Sequence, residues 1–269
     1  MGLTIMDNIT LDLDINSAFF EVEARSDIGG RSEQQDKAYA HISQSHAFAV
    51  VCDGMGGAEN GELASGLAVD AMCQAYSSEY HSSTDKALFL YNAMKRADEQ
   101  VVDTIGQETG GTTMVAVIIH DRCLFWLSVG DSRIYISRLG QLLQVTRDHN
   151  YFLRINELLE RGIISEEVYL QELKRGDALI SYIGKGNITL FDLTETGFEL
   201  QKDDCILLTT DGLFKTLPDS LIGEILCSSL NTKEKADLLI EKATHYVQRN
   251  FQDNTTFILI NIIDGGRYE

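Results

Sequence analysis

Apolar residues in this chain follow two patterns, short continuous runs and longer stretches at helical spacing, and together these predict its secondary structure. A short apolar run bounded by glycine or polar residues is typical of a strand that is buried on both faces. On this basis we expect strands at Phe19–Arg25, Lys37–Ile42, His46–Cys52, Thr113–His120, Cys123–Val129, Ser132–Arg138, Gln141–Thr146, Ile188–Leu193, Cys205–Thr210 and Thr255–Ile263.

The longer stretches repeat apolar residues every three or four positions, which is the period of an amphipathic helix. In the second of them Leu88, Tyr91 and Met94 recur at this spacing, and the Ser83/Thr84 pair before it is a capping signal. We expect helices at Gly61–Tyr76, Thr84–Gln107, Tyr151–Arg161, Ser165–Leu173, Asp219–Cys227 and Thr232–Asn250.

The order of these elements predicts an α+β fold. The strands within 113–146 are too closely spaced for helical crossovers, and tight turns fall at Asp121-Arg122 and Leu139-Gly140, so we expect antiparallel neighbours. Blocks of strands separated by pairs of helices predict two antiparallel sheets packed face to face and flanked by helices, a four-layer α-β-β-α sandwich. No repeat or composition shift marks a linker, so residues 1–269 are expected to form one domain.

Composition narrows the class of protein. A hydrophobic fraction of 44% with 23% charged residues is typical of an ordinary globular chain. The formal net charge of −19 argues against nucleic acid or an anionic membrane surface as the main partner, because both attract clustered lysine and arginine.

The cysteines indicate a reducing compartment. Their number, five, is odd, and none forms a C-x-x-C pair. Cys52, Cys123 and Cys205 lie in apolar runs and are interpreted as reduced core residues. No basic segment followed by an apolar stretch opens the chain, and no apolar run reaches the length of a membrane span, so we expect a cytoplasmic protein.

The candidate chemistry lies in four short turns, each of which follows an apolar run and carries an aspartate: Asp53, Asp131, Asp211 and Asp253. One Asp-Gly turn alone is weak evidence of function, because the dipeptide is common in turns. Carboxylates that met in one cleft would repel one another, and a hard divalent cation would relieve the repulsion. Oxygen ligands suit Mg²⁺ and Mn²⁺, so the turns favour metal-assisted hydrolysis.

Seven motifs in a fixed order extend this interpretation. They are S-D-I-G-G-R-S-E-Q-Q-D (26–36), V-C-D-G-M-G-G (51–57), G-G-T-T (110–113), S-V-G-D-S-R (128–133), T-R-D-H (146–149), T-T-D-G (209–212) and D-N-T-T (253–256). With these motifs the chain resembles the metal-dependent protein phosphatases of the PPM, or type 2C, family from about Phe19 to Ile263. Their order and spacing are similar to those of the small bacterial members.

The resemblance implies a set of metal ligands. Asp53 is similar to the carboxylate that bridges two central metals, and the Gly54 carbonyl to a ligand of one of them. Asp211 and Asp253 resemble the remaining carboxylates of the other metal. Asp131 is similar to the residue that holds a third, weaker metal together with Asp211.

The resemblance also assigns roles beside the metals. Asp36 matches an acidic position that reaches a metal through water, and Arg31 matches an arginine that grips two phosphoryl oxygens. Cys52 is interpreted as a core residue, so no covalent nucleophile is expected. Gln34 departs from the usual asparagine, and Met55 stands where animal relatives often carry a histidine that is a proposed general acid.

The segment of about 149–186 is expected to form a flap beside the active site. Lys174 and Arg175 form a basic pair in it, which either contacts the phosphorylated substrate or simply ends an exposed helix. Asp148 and His149, which close the T-R-D-H motif, are interpreted as structural.

The resemblance implies a phosphoserine and phosphothreonine protein phosphatase that uses Mn²⁺ or Mg²⁺ and a metal-activated water. Its partners would be phosphorylated proteins, namely a Ser/Thr kinase and that kinase's targets. One alternative is a pseudophosphatase that binds without turnover, although every expected aspartate is present. The other is a phosphatase of small phosphoesters or phosphotyrosine, since the flap and surface, not the metals, choose the substrate.

Overall fold

A computed structural model describes residues 2–6, 8–13, 19–44, 46–56, 58–81, 84–246, 248 and 252–263. The strands are β1 Gly2–Met6, β2 Ile9–Leu13, β3 Phe20–Asp27, β4 Asp36–Ile42, β5 His46–Met55, β6 Gly111–Thr112, β7 Met114–His120, β8 Cys123–Val129, β9 Arg133–Arg138, β10 Gln141–Gln144, β11 Asp192–Leu193, β12 Phe198–Glu199, β13 Cys205–Thr209 and β14 Thr255–Ile262. The helices are α1 Ala58–Glu79, α2 Lys86–Ile105, α3 Tyr151–Glu160, α4 Glu166–Glu172, α5 Asp211–Phe214, α6 Asp219–Leu226 and α7 Thr232–Tyr246.

The strands form two sheets. The first has the order β1-β2-β4-β5-β7-β8-β11, with β12 beside β8 and β6 beside β5, and the second has the order β10-β9-β13-β14-β3. Apolar side chains of both sheets form the core between them. Helices α1 and α2 cover the outer face of the first sheet, and α6 and α7 cover that of the second. The predicted sandwich of two sheets flanked by helices is therefore confirmed.

Strand β5 shows why its run is apolar throughout. Ala47, Ala49 and Val51 pack into the core between the sheets, whereas Phe48 and Val50 pack against the helices. Alternate side chains of a strand point to opposite faces, so a strand that is buried on both sides has no polar face. The continuous run in the sequence is thus explained by a central position in the sandwich.

The predicted pairing of the strands between 113 and 146 is wrong at one junction. β7 pairs with β8 and β9 pairs with β10, as expected, but β8 and β9 lie in different sheets. The chain crosses between the sheets at Gly130, whose φ is +97°. A side chain there would lie 2.7 Å from Thr113 Cγ2, so the crossing requires glycine.

Other boundaries also differ from the prediction. The pair β1 and β2 was not expected, and β2 runs parallel to β4, so the first sheet is not wholly antiparallel. Helix α2 is capped by Asp85, which accepts a hydrogen bond from the Leu88 N–H at 2.9 Å, and Leu88 itself is exposed. Ser83, half of the proposed capping pair, lies outside the described residues. The strand predicted at Ile188–Leu193 is shorter in the structure, where only β11 remains of it. The short elements β12 and α5 were not predicted. The predicted end of α7 extends beyond the described residues.

At one end of the first sheet, polar side chains and aromatic rings form a closed cluster. His41 on β4 contacts Asp12 at 2.8 Å, and the Tyr80 hydroxyl contacts His120 Nδ1 at 3.1 Å. His46, at the start of β5, contacts the Ser43 hydroxyl at 2.8 Å and packs between the other two histidine rings. We call His41, His46 and His120 the histidine cluster.

The cysteines and helices bear on the compartment and class of the protein. All five cysteines lie within the described residues and are free thiols. Cys52 and Cys205 are buried as predicted, whereas Cys123 is only half-buried. None of the helices in the described residues combines the length and the apolar content that a bilayer crossing needs.

Candidate metal centre

The predicted site residues lie at the other end of the sandwich, around an open cleft with a volume of about 470 Å³. Elements of both sheets and the flap reach this cleft. Its lining includes Arg31, Asp53, Gly54, Asp131, Asp211 and Asp253. Six of the seven predicted site residues thus line one cavity, and the seventh, Asp36, lies buried beside it.

Strand register places two aspartates side by side. Asp36 begins β4 and is paired directly with Asp53 on β5. Residues that pair across neighbouring strands project from the same face of the sheet. The face is the inner one, because Ala38 and Val51, two positions away along each strand, pack in the core between the sheets. Two carboxylates therefore lie side by side at this end of the sandwich, Asp53 in the wall of the cleft and Asp36 buried behind it.

The G-G-T-T motif holds the backbone of Asp53. The Thr113 hydroxyl accepts a hydrogen bond from the Asp53 N–H at 3.0 Å, and the Thr112 hydroxyl donates to the Asp53 carbonyl at 2.8 Å. The Thr113 hydroxyl is also 2.6 Å from Ser132 in the crossing between the sheets. Sequence reasoning listed this motif but gave it no role; its threonines fix the aspartate's backbone.

Asp36 is fully buried and only partly satisfied. Its Oδ2 accepts a hydrogen bond from the Thr210 hydroxyl at 3.0 Å, which links the two sheets. Its Oδ1 has no hydrogen-bond partner within the described part of the chain. Burial, together with the charges of Asp211 and Asp253, raises the pKa of Asp36 to about 8. A buried carboxylate oxygen without a partner fits the expected contact to a metal through water.

Asp131 and Asp211 come from different sheets and meet at a lysine. Asp131 lies in the crossing after β8, and Asp211 begins α5 directly after β13. The Lys215 ammonium is 2.6 Å from Asp211 Oδ2 and 3.7 Å from Asp131 Oδ2. Burial and the charge of Asp211 raise the pKa of Asp131 to about 6, although Lys215 opposes this rise. Sequence reasoning missed Lys215; its position four residues after Asp211 was the available signal.

The first loop and the D-N-T-T turn are joined through Asn254. Its side chain accepts a hydrogen bond from the Gln35 N–H at 2.8 Å and donates to the carbonyls of Ile28 and Glu33 at 2.9 and 3.0 Å. Arg31, in the same loop, donates to Asp253 Oδ2 at 2.6 Å. The arginine expected to bind phosphate therefore lies over the cleft, paired with a predicted metal ligand, and its side chain is 61% exposed.

Gly54 lies where β5 passes the first turns of α1. A side chain at this position would come within 2.1 Å of the Gly61 carbonyl oxygen and 2.7 Å of the Gln35 carbonyl oxygen. Only glycine permits this approach, which brings the backbone of the V-C-D-G motif to the cleft wall. Met55 lines the cleft beside it, so the structure places a thioether, not an imidazole, at that position.

The donor set suits a hard cation. Burial raises the pKa of Asp53 well above its ordinary value, and the surrounding charges add to the effect. Those charges belong to Asp211, Asp36, Asp131 and Asp253. Within the described residues, no three acidic, histidine or cysteine side chains are already arranged as a coordination shell. The carboxylates nevertheless fit divalent metal ions, because the oxygens match Mg²⁺ and Mn²⁺ and their repulsion needs a counter-charge.

Several other predicted positions serve the scaffold. His149 is buried, and its Nδ1 accepts a hydrogen bond from the Gly130 N–H at 3.2 Å. The Asp148 carboxylate accepts hydrogen bonds from Nε and Nη2 of Arg133, at 2.9 and 2.7 Å. These contacts match the structural role expected for the T-R-D-H motif. Gln34 ties the first loop through Ser26 at 3.0 Å and through the Asp36 N–H at 3.0 Å.

The flap reaches the cleft through residues that sequence reasoning did not select. Asp177 and Leu179 line the cleft, whereas Lys174 and Arg175 are not among the described residues that line it. The Arg175 guanidinium lies over the ring of Tyr151 and is 3.8 Å from a glutamate of its own helical turn. Contact between this basic pair and a substrate stays a prediction.

Comparisons with known proteins agree with this arrangement. The protein phosphatase 2C family model matches residues 25–251. The serine/threonine phosphatase stp of Listeria innocua is 31% identical over 249 residues, which cover 90% of this chain and 92% of that protein. A serine/threonine phosphatase of S. agalactiae has a similar structure, with a TM-score of 0.77, 25% identity, and coverage of 91% of this chain and 100% of that one.

A further similar structure is that of the catalytic domain of the serine threonine protein phosphatase PstP in complex with two manganese ions. Its TM-score is 0.70 at 28% identity, and the match covers 91% of this chain and 99% of that chain. The fold and the aspartate-lined cleft thus define the class of PPM-type, metal-dependent phosphatases. The chain belongs to the protein phosphatase 2C family and is a protein phosphatase. The resemblance drawn from the seven motifs is confirmed.

Proposed function

We propose that this chain is a serine/threonine protein phosphatase that uses two Mn²⁺ or Mg²⁺ ions in the cleft. One observation carries the proposal: both sheets deliver carboxylates to the same cavity, although the four turns are far apart in sequence. A fold gains nothing in stability by gathering like charges, so such a cluster indicates a bound cation and a function.

The ligand set is the one that the family resemblance implies, and its members lie in or beside the cleft. Asp53, the Gly54 carbonyl, Asp211 and Asp253 would hold the two central ions, and Asp36 would act on them through water. When bound, the ions supply positive charge and lower the pKa of a water molecule, so that it can attack phosphorus. The protein itself fixes the backbone of Asp53 through the two threonines described above.

Arg31 binds the phosphoryl group. Its guanidinium is long, exposed and over the cleft, and it presents a fork that matches two phosphoryl oxygens. Arg31 is paired with Asp253 at 2.6 Å, so it would have to release this carboxylate to bind a phosphoryl group, and Asp253 would then be free to serve as a metal ligand. Substrate binding and metal binding therefore compete with the same ion pair.

The substrates are phosphorylated proteins, and a Ser/Thr kinase with its targets supplies them. This class of substrate follows from the relatives named serine/threonine phosphatase, among them PhpP of Streptococcus pneumoniae, which is 25% identical. Free thiols at all five cysteines suit the reducing cytoplasm. The strongly acidic surface offers nucleic acid no electrostatic attraction.

The test compares the wild type with Asp211→Asn, using protein stripped of metal and resupplied with Mn²⁺ or Mg²⁺. Hydrolysis of p-nitrophenyl phosphate and of phosphoserine, phosphothreonine and phosphotyrosine peptides is measured. We expect metal-dependent turnover on the phosphoserine and phosphothreonine peptides. The variant should lose about a thousandfold, equivalent to about 4 kcal/mol, because a central ion loses a charged ligand.

Asp103→Asn is the matched control. It makes the same chemical change at an exposed position on α2, away from the cleft. It should turn over like the wild type. A folded wild type without turnover at any metal concentration would favour the pseudophosphatase. Preference for phosphotyrosine or for the small ester would instead favour the other alternative.

A further inference from the structure

Lys215 holds a position that nothing in the predicted ligand set assigns. Its ammonium lies between Asp211 and Asp131, at 2.6 and 3.7 Å from their nearest oxygens. The Lys215 N–H donates to the Asp211 carbonyl at 2.8 Å, which places lysine and aspartate one helical turn apart on the same side of α5. The helical turn therefore brings the lysine side chain within reach of both carboxylates.

The two carboxylates need a counter-charge from somewhere. The side chains of Asp131 and Asp211 are only 7% and 15% exposed, so water screens them poorly. They come from different sheets, and both face the same cavity. A cation placed between them therefore offsets their repulsion and joins the two sheets at the mouth of the cleft.

We propose that Lys215 is the resident cation of the Asp131–Asp211 pair and keeps a third divalent ion out of it. The proposal rests on the proposed function, because it concerns the same metal centre. A third ion would have to approach the carboxylate oxygens to about 2.1 Å. The Lys215 ammonium, at 2.6 Å from Asp211 Oδ2 and 3.7 Å from Asp131 Oδ2, lies in the space that such an ion needs. Like charges also exclude each other, so the lysine and the ion compete for one place.

This inference departs from an expectation that the family resemblance implies and that the metal count below tests. The resemblance implied that Asp131, with Asp211, holds a third, weaker metal. In this chain the same two residues already bind an amine that stays with the polypeptide. Two ions and a lysine then replace three ions, and Asp131 becomes a positioning residue for Lys215.

The test counts bound metal and does not depend on turnover. Mn²⁺ binding is measured by equilibrium dialysis for the wild type and for Lys215→Met, which keeps an unbranched side chain one atom shorter and removes its charge. We expect two ions per chain in the wild type and a third, weaker one in Lys215→Met. Adding Asp131→Asn to Lys215→Met should remove the third ion again, and Lys215→Arg, which keeps the charge, should bind two.

Each outcome has a distinct meaning. Three ions in the wild type would overturn the inference alone and leave the phosphatase proposal in place. Two ions in both the wild type and Lys215→Met would also overturn it, because the lysine would not be what excludes the third. A wild type that binds neither Mn²⁺ nor, in a parallel dialysis, Mg²⁺ would overturn the proposed function and this inference with it. Circular dichroism and thermal melting of each variant establish that the protein counted is folded.

A second measurement connects stoichiometry to catalysis. The dependence of the rate on Mn²⁺ concentration should saturate in one range for the wild type, when the central ions are bound. Lys215→Met should show a further rise at Mn²⁺ concentrations at least tenfold higher, as the third ion fills. If the rate depended on Mn²⁺ concentration in the same way in both proteins, the proposal that Lys215 occupies the place of a third ion would be contradicted.

Discussion

The two ends of the strand pair β4 and β5 differ in whether their polar side chains have hydrogen-bond partners. At the cleft end Asp36 and Asp53 are paired on neighbouring strands, and Oδ1 of Asp36 is buried without a hydrogen-bond partner among the described residues. At the far end His41 and His46 each have a polar partner at 2.8 Å, an aspartate for one and a serine hydroxyl for the other. The same two strands therefore carry an unsatisfied end and a satisfied one.

The difference shows how a functional site can be distinguished from structural polarity. A buried polar group is normally paired, because an unpaired one costs free energy. Where the protein itself supplies the partners, as in the histidine cluster, the polar residues belong to the scaffold. Where the partners are missing and charges of one sign are collected, the fold has left room for a ligand.

The comparison is tested most strongly by matched substitutions on β5. Asp53→Asn should lower turnover by about a thousandfold or more, because it removes the charge shared by the two central ions. His46→Asn, seven residues away at the satisfied end of the same strand, should change turnover by less than about twofold. Steady-state kinetics with Mn²⁺ on a phosphothreonine peptide measures both.

Thermal melting of the metal-free variants separates loss of function from loss of fold. Asp53→Asn should melt at or above the wild-type temperature, because the substitution relieves repulsion among the carboxylates. Equal losses of turnover in the two variants would remove the distinction between the two ends.

A smaller effect is expected at the rim of the cleft. Arg31→Ala should raise KM by about ten- to a hundredfold, which is the range for loss of a charge-assisted hydrogen bond. Mn²⁺ affinity should stay the same or rise, because Asp253 is released from its 2.6 Å ion pair. Isothermal titration with Mn²⁺ and kinetics over a range of substrate concentrations check the two parts.

Arg31→Lys is the control, because it keeps the positive charge but removes the planar guanidinium that can bind two oxygens at once. It should keep the ion pair but recover KM only in part, because an ammonium cannot hold two phosphoryl oxygens in a fixed plane. An unchanged KM in Arg31→Ala would contradict the phosphate-binding role.

The smallest effect concerns acid and the histidine cluster. Burial lowers the pKa of His46, with His41 and His120 adding to the effect, and burial also lowers the pKa of His120. The unfolded chain then binds protons at a higher pH than the folded protein does. This contribution to stability is complete above the ordinary histidine value of about 6.5 and is lost as the pH falls below it. The titratable groups facing the rings of His46 and His120 are His41, Asp121, Lys86, Tyr76 and Tyr80, and Asp12 contacts His41 on its other side.

The measurement is the melting temperature of metal-free wild type and of the double variant His46→Gln, His120→Gln between pH 7.5 and 5.5. The wild type should lose more stability than the variant on acidification. Using the difference between the two proteins cancels the contribution of the cleft carboxylates, which are present in both. Parallel curves would show that the cluster does not titrate with folding.

Most of the fold could be predicted because both faces of the central strands are buried. Runs such as His46–Cys52 leave little room for another interpretation, and their ends were correct to within a few residues. The crossing at Gly130 was missed, because a glycine between two strands looks the same whether they pair or separate. The pair β1 and β2 was missed although Ile9, Leu11 and Leu13 alternate with polar residues at the period of a strand, because each strand has only five residues and lacks a continuous apolar run.

The site was predictable to the extent that motifs fix residue types at strand ends. The aspartates and Arg31 were found in this way, since each motif follows or precedes an apolar run. Lys215 and Asp177 were not found, because their importance depends on which distant elements meet them. Spacing along the chain placed Lys215 near Asp211, but only the fold shows that Asp131 lies on its other side.

Thr112 has a consequence for the divergence of enzymes with this fold. Its hydroxyl binds the Asp53 carbonyl, while its backbone exchanges hydrogen bonds with Ile183 at 3.0 and 2.8 Å, where the flap ends. A second bridge, Asn150 with Leu179, closes the base of the flap. Residues 151–178, which lie between the two partners of this bridge, therefore form a segment with fixed attachment points. We expect that exchanging this segment would change which partners the enzyme accepts more than it changes the hold on Asp53, because the contacts of Thr112 lie outside the exchanged residues.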